Sequence, residues 1–262
     1  MSETKTPRLL LVGAGGIGAP AAIALAAAGL DALTVADDDA VELGNLHRQI
    51  LFEDADVGRP KLEAFAAALR TRSPAMEVTL ARRRFLPSTA IDLLAGIEVV
   101  IDATDNFASR FLIADACAIA GVGVVHAAAV RWRATVLAVG PAGGPCYRCL
   151  FEDLPEGPAP DCASAGVVGP VCGVAGAVAA DRELQMLAGD AGVTGTIVTF
   201  DGLRDILRAV PVARRSGCPL CGERRLFQSL DPTRYDAITR CLTENAMEES
   251  LATQRDLSNT AH

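Results

Sequence analysis

The chain alternates short apolar runs of strand length with longer stretches in which apolar residues return at helical spacing. Residues 8–12 (RLLLV) read as a first strand. It is closed by Gly13-Ala14-Gly15-Gly16-Ile17-Gly18 and followed by an Ala-rich helix over 19–28. Residues 33–36 give a second strand that ends in Asp37-Asp38-Asp39. A helix opens at Gly58-Arg59-Pro60-Lys61, where proline suits a first turn. It runs to Arg72 with Leu62, Phe65 and Leu69 at helical spacing, and Ser73-Pro74 stops it. Strands follow at 77–81, 98–102, 122–126 and 135–139, separated by helical segments at 89–94 and 107–120. The alternation predicts an α/β fold with a largely parallel sheet. Residues 141–170, rich in Gly, Pro and Cys, read as an irregular crossover of the kind that carries functional loops. A helix over 171–187 and a closing strand pair at 196–200 and 206–210 come next. Residues 223–262 are polar and poorly periodic, and a partly helical or disordered tail is expected there. The main domain is expected to span 1–222.

Composition narrows the class. With 262 residues and 50% of them apolar, one large domain with a well-buried core is the expectation. A net charge of −8 leaves no general basic surface for a nucleic-acid backbone. The first residues lack the layout of a signal peptide, and the apolar stretches are interrupted before they reach membrane-spanning length, so a cytoplasmic protein with no membrane partner is expected.

Gly13, Gly15 and Gly18 form GxGxxG between a strand and a helix, where backbone N–H groups and the helix N-terminus can hold phosphates. Asp37 follows at the end of the next strand, placed for a ribose hydroxyl, with Asp39 beside it. These features suit NAD as well as ATP. Arg48 and Lys61 separate the two, because cleavage between the α- and β-phosphates needs cations on the departing pyrophosphate. Asp102-Ala103-Thr104-Asp105-Asn106 lies at the carboxyl end of another strand and offers two carboxylates and an amide for a Mg²⁺ bridging phosphates. Asn106 is also placed to cap the helix that starts at Phe107.

Two of the eight cysteine positions form Cys146-x-x-Cys149 and two more form Cys218-x-x-Cys221, the Cys₄ pattern of a structural, tetrahedral Zn²⁺. Cys162 lies in the crossover outside any apolar run, either as a nucleophile or as an idle loop thiol. Cys117 and Cys172 read as core packing, and His126, at a strand end, as structural.

GAGGIG, ADDD, GNLHRQ, GRPKLE, DATDN and CYRC, in this order, resemble the MoeB/ThiF family, relatives of the nucleotide-binding half of ubiquitin-activating enzymes. The resemblance implies a doubly wound, Rossmann-like, mostly parallel sheet stapled by the Cys₄ zinc, and a homodimer. It implies adenylation, with Mg-ATP, of the C-terminal glycine carboxylate of a small ubiquitin-like sulfur-carrier protein ending in Gly-Gly. By motif position Gly16, Asp37, Gly44, Asn45, Arg48, Lys61, Asp105 and Asn106 would be the ATP residues, with Asp105 the metal-holding acid. The adenylate would then be opened by Cys162 or by an external sulfur donor. The chain departs from the family pattern in its short polar lead and in Ala129-Val130-Arg131-Trp132-Arg133-Ala134, which lacks the usual Gly-Gln step. Adenylation of another acyl group (a peptide terminus, a small acid or a tRNA base substituent), a non-catalytic adaptor and a nicotinamide-dependent oxidoreductase are the competing readings.

Overall fold

A computed structural model describes residues 8–141, 143–154 and 165–235. In it the strands join into one eight-stranded sheet of order β3-β2-β1-β4-β5-β6-β7-β8. Strands β1 (Leu9–Val12), β2 (Ala32–Ala36), β3 (Glu77–Ala81), β4 (Val99–Asp102) and β5 (Gly123–Val130) pair in parallel. β6 (Arg133–Val139), β7 (Thr196–Asp201) and β8 (Ile206–Pro211) extend the sheet antiparallel. The helices are α1 (Gly18–Ala27), α2 (Lys61–Arg72), α3 (Ala90–Leu93), α4 (Phe107–Ala120), α5 (Tyr147–Leu150) and α6 (Gly169–Leu187). α1 packs on both α2 and α6, α4 packs on α3 and α5, and both α4 and α6 touch β4 and β5, so the two helix groups cover opposite faces. A sheet covered twice explains why β1 (LLLV) and β4 (VVID) are buried at every position and show no polar alternation.

The chain lays down β1, β2 and β3 on one side and then returns to place β4 on the other side of β1. The strand order therefore reverses between β1 and β4, and a crevice opens over their carboxyl ends, the usual ligand position of an open α/β sheet.

Two local features differ from the sequence expectation. β5 continues four residues past His126, through Ala127-Ala128-Ala129-Val130, and turns at Arg131 (φ 53°) into β6, which begins at Arg133. Alanine has little intrinsic preference for strands, so the ladder from Val124↔Val139 to Val130↔Arg133 sets this conformation, not local propensity. The crossover is also more regular than expected, because α5 forms directly after Cys146 and takes in Cys149. The chain separates into two compact units between Leu230 and Asp231; in the second, Pro232–Tyr235 forms a 3₁₀ turn. Among the described residues no helix is long and apolar enough to cross a membrane.

Candidate active site

The glycine loop brings the start of α1 to the crevice. Gly13 has φ +100° and donates its N–H to the Ala36 carbonyl at 2.9 Å, while a Cβ there would stand 2.8 Å from the Ala103 oxygen. At Gly18 a Cβ would come within 2.0 Å of the Gly13 carbonyl oxygen. Only glycines let the turn lie this close to β4 and to itself. In the first turn of α1 Pro20 has no N–H, and Ala19 and Ala21 donate to the Gly15 and Ile17 carbonyls (3.0 and 3.2 Å), so it is the N–H groups of the glycine loop from Gly15 to Gly18 that open beside the β1 and β4 ends. Gly16 lies under the stem of Arg48, whose Cγ would be 3.1 Å from an added Cβ, and Gly15 faces Gln49 in the same way at 3.5 Å. Arg48 makes no ion pair among the described residues. Gly44 and Asn45 lie in the 3₁₀ turn Leu43–Asn45, where the Asn45 amide donates to Glu42 at 2.9 Å.

Acidic groups and one buried cation meet across the crevice. The Asp37 carboxylate accepts from the Ala14 N–H of the glycine loop at 2.7 Å and from the Asp39 N–H at 2.9 Å. Two carboxylate oxygens offer about four acceptor positions, so room remains for ribose hydroxyls. Lys61, only 5% exposed, donates from Nζ to Asp39 at 2.6 Å and from its backbone N–H to the Asp39 carbonyl at 2.9 Å. Burial alone would depress the Lys61 pKa, yet Asp37, Asp39 and Asp105 together raise it, and the ammonium stays charged. Burial raises the Asp37 pKa despite the opposing attraction of Lys61.

Beyond β4, the acids divide. Asp102 is fully buried: its Oδ1 accepts from the Thr104 N–H (3.0 Å) and hydroxyl (2.6 Å), and its Oδ2 lies 2.7 Å from Nδ1 of His126. Because its side chain is wholly buried against Thr104 and His126, Asp102 does not present to the crevice the second magnesium carboxylate that the sequence offers. Asp105 is exposed and has no hydrogen bond or ion pair among the described residues, while its charge is felt at Lys61. Asn106 accepts from the Ser109 N–H at 2.8 Å and so caps α4. Behind Asp105 is a cavity of about 200 Å³ lined by Phe107, Arg110, His126, Leu137, Tyr147 and Phe151 among others.

The four motif cysteines gather as their spacing predicts. Cys146 Sγ lies 4.0 Å from Cys149 and 3.6 Å from Cys218, Cys149 lies 3.4 Å from Cys221, and all four sulfurs fall within 4.8 Å of one another. A tetrahedral zinc with Zn–S near 2.3 Å separates its sulfurs by roughly 3.8 Å, so the cluster is compatible with a four-thiolate zinc and leaves no open position. The Arg215 N–H points at the Cys149 sulfur from 3.5 Å. Arg148, inside the first knuckle, makes a bidentate, buried pair with Asp115 of α4 (2.8 and 2.9 Å) and stacks on Phe111 and Phe227.

Cys162 lies outside the described residues. Cys117 and Cys172 are buried in the core. Neither Arg110 nor the pairing between Asp102 and His126 was singled out by sequence reasoning. That pairing rests on the register Asp102↔His126 of two parallel strands, and the available signal was that both residues end apolar strand runs.

A glycine-loop crevice at a sheet's switch point, with two cations and an exposed carboxylate around it, defines a nucleotide-binding α/β enzyme. The chain belongs to the ThiF family, which residues 1–220 match, and is an adenylyltransferase. It is 40% identical over 218 residues to a SAMP-activating enzyme E1 of Haloferax volcanii, covering 82% of this chain and 80% of the relative. It is 39% identical over 216 residues to the sulfur carrier protein ThiS adenylyltransferase of Escherichia coli, covering 82% and 86%. The adenylyltransferase and sulfurtransferase MOCS3 of Sus scrofa is 40% identical over 222 residues, which is 84% of this chain but 49% of that protein. The crystal structure of E. coli MccB with ATP shares the fold at TM-score 0.68 and 22% identity, over 83% of this chain and 67% of that one.

Proposed function

We propose that this protein uses ATP and Mg²⁺ to adenylate the C-terminal glycine carboxylate of a small ubiquitin-like sulfur-carrier protein ending in Gly-Gly, preparing it for thiocarboxylate formation in the cytoplasm. The observation that carries this reading is the meeting of Lys61, Asp37, Asp39 and Asp105 at the crevice where the glycine loop and Arg48 also lie. A hydride-transfer site has no use for that charge pattern. The first turn of α1 and the loop N–H groups would cradle phosphate, with Gly13, Gly15, Gly16 and Gly18 keeping the approach clear. Asp37 would accept from the ribose, and Gly44, Asn45 and Asn106 would complete the nucleotide pocket. Arg48 and Lys61 would draw off charge as a carboxylate oxygen attacks the α-phosphorus and pyrophosphate departs. Asp105 would hold the Mg²⁺, which when bound neutralises phosphate charge. The acyl-adenylate would pass to a sulfur nucleophile, Cys162 or an external donor. Members of the family that this sequence resembles are homodimers, and we extend that state to this chain.

The test has two arms. Mg-ATP should raise the melting temperature and NAD should not. A carrier ending in Gly-Gly should support exchange of pyrophosphate into ATP, and Asp105→Ala should abolish it. A shift with NAD and none with Mg-ATP would overturn the proposal, as would exchange that survives in Asp105→Ala.

A further inference from the structure

The Asp102–His126 pair is built like a general base. Asp102 is buried at the end of β4, and although burial would raise its pKa, Arg110, His126 and Thr104 hold it below the ordinary carboxylate range. An ionised carboxylate only accepts, so Nδ1 of His126 carries the proton in their 2.7 Å contact. In the neutral form of the ring the lone pair is on Nε2, and that atom is buried with no partner among the described residues. Tyr147 packs against the ring with centroids 4.7 Å apart and fixes its plane. One edge of the ring is turned to Asp102, and His126 lines the cavity together with Asp105, Arg110 and Tyr147.

Attack of a carboxylate on ATP releases no proton, so the first half-reaction gives this lone pair no task. Opening the acyl-adenylate with a thiol does, because a cysteine thiol of pKa near 8.5 is mostly protonated at neutral pH. We propose that His126 is the base for that second step, with Asp102 as its positioning residue. The thiol's S–H bond breaks and its proton passes to Nε2, while the sulfur electron pair forms the S–C bond to the acyl carbon. The C–O bond to AMP breaks with its electrons leaving on the phosphate oxygen. Nothing is oxidised or reduced; the co-reactant is a thiol, from a protein or in solution. Asp102 stabilises the imidazolium until it returns its proton to solvent.

This inference rests on the adenylation reading, and the experiment separates the two. The full chain, charged with zinc, is given Mg-ATP and the sulfur carrier protein ThiS as acceptor of the adenylyl group, with free cysteine as the thiol that then takes the acyl group. Pyrophosphate exchange reports the first step, and thiol-dependent AMP release reports the second. In His126→Asn, whose amide can still donate to Asp102, the ratio of thiol transfer to exchange should fall by about 10²- to 10⁴-fold. The deficit should shrink as pH rises towards the thiol's own pKa, where no base is needed. An unchanged ratio would overturn the proposal, and a parallel loss of both steps would reduce His126 to a structural residue. Should His126→Asn fail to fold, the wild type decides: thiol transfer should slow in D₂O relative to exchange, and equal behaviour of the two steps would refute the base. No exchange by the wild type with any Gly-Gly carrier would defeat the adenylation reading itself, and the base with it.

Discussion

Glu183 offers a direct test of the packing between α6 and the sheet. It is fully buried on the helix face that also carries Ala175, Ala179 and Ala180, and neither carboxyl oxygen has a hydrogen-bond partner among the described residues. Burial pushes its pKa well above the ordinary 4.5, so the folded protein holds a proton that the unfolded chain releases. Glu183→Met keeps the length and removes both the unsatisfied oxygens and the titration. Below pH 4.5 both states are protonated, and the variant gains only the cost of the unpaired polar group, about 1–3 kcal/mol. As pH rises above that value the unfolded wild type ionises and the folded one does not. The wild type then loses about 1.4 kcal/mol per pH unit relative to the variant, until pH reaches the folded pKa. Urea unfolding with zinc saturating, repeated at intervals from pH 5 to 8, measures this difference, and contributions from the thiolates cancel between the two proteins. Glu183→Gln should abolish the slope and retain the polar cost. A difference between wild type and Glu183→Met that stays flat across this range would refute the reasoning, since it would mean that the carboxyl is ionised and stabilised in the fold.

Other consequences follow from single contacts. The protein should carry close to one Zn²⁺ per chain by elemental analysis, and Cys149→Ser should lower its thermal stability; a metal-free protein with these thiols oxidised would contradict the site. Arg148→Met removes the bidentate partner of the fully buried Asp115 and should cost about 3–5 kcal/mol in denaturant unfolding, most of which should return when Asp115 is changed to Leu in the same chain. Lys61→Ala should lower pyrophosphate exchange by about 10²- to 10³-fold with zinc content unchanged, because the cation for the leaving group is lost. An equal loss in Arg70→Ala, at an exposed position on the same helix, would show that the effect is general.

The alternation of apolar runs made most of the fold legible, since a strand buried on both faces and an amphipathic helix leave different periods in the sequence. The limits are physical. Ala127-Ala128-Ala129 carries no strand signal, and only its antiparallel partner keeps it extended. Tyr147-Arg148-Cys149-Leu150 is too short to form a helix by itself, so nothing local announces α5. The crevice was legible where motif and strand end coincide, as at Gly13, Asp37 and Asp105. It was not legible where function depends on which strands become neighbours. Asp102 meets His126 because β4 and β5 are adjacent and in register, and Lys61 meets Asp39 because the segment after β2 folds back onto the start of α2. Neither relation is a periodicity.

The four-cysteine cluster and the crevice are joined by the residues of the CYRC motif. Isolated from the rest of the chain, a single turn of helix such as α5 is unstable, because nucleation fixes several dihedral angles for one hydrogen bond. Here Cys146 and Cys149 fasten its two ends to Cys218 and Cys221, and Arg148 fastens its middle to Asp115 on α4. Those anchors leave Tyr147 turned towards His126, with Phe111 packed edge-on at 5.1 Å and Phe151 at 4.9 Å. Tyr147, Leu150 and Phe151 are also walls of the cavity behind Asp105. The cysteines and Arg148 of the CYRC motif therefore hold the fold while its tyrosine shapes the site. A metal held by these four thiolates, with no open coordination position, would still bear on chemistry in this arrangement, because it would determine where the cavity wall stands.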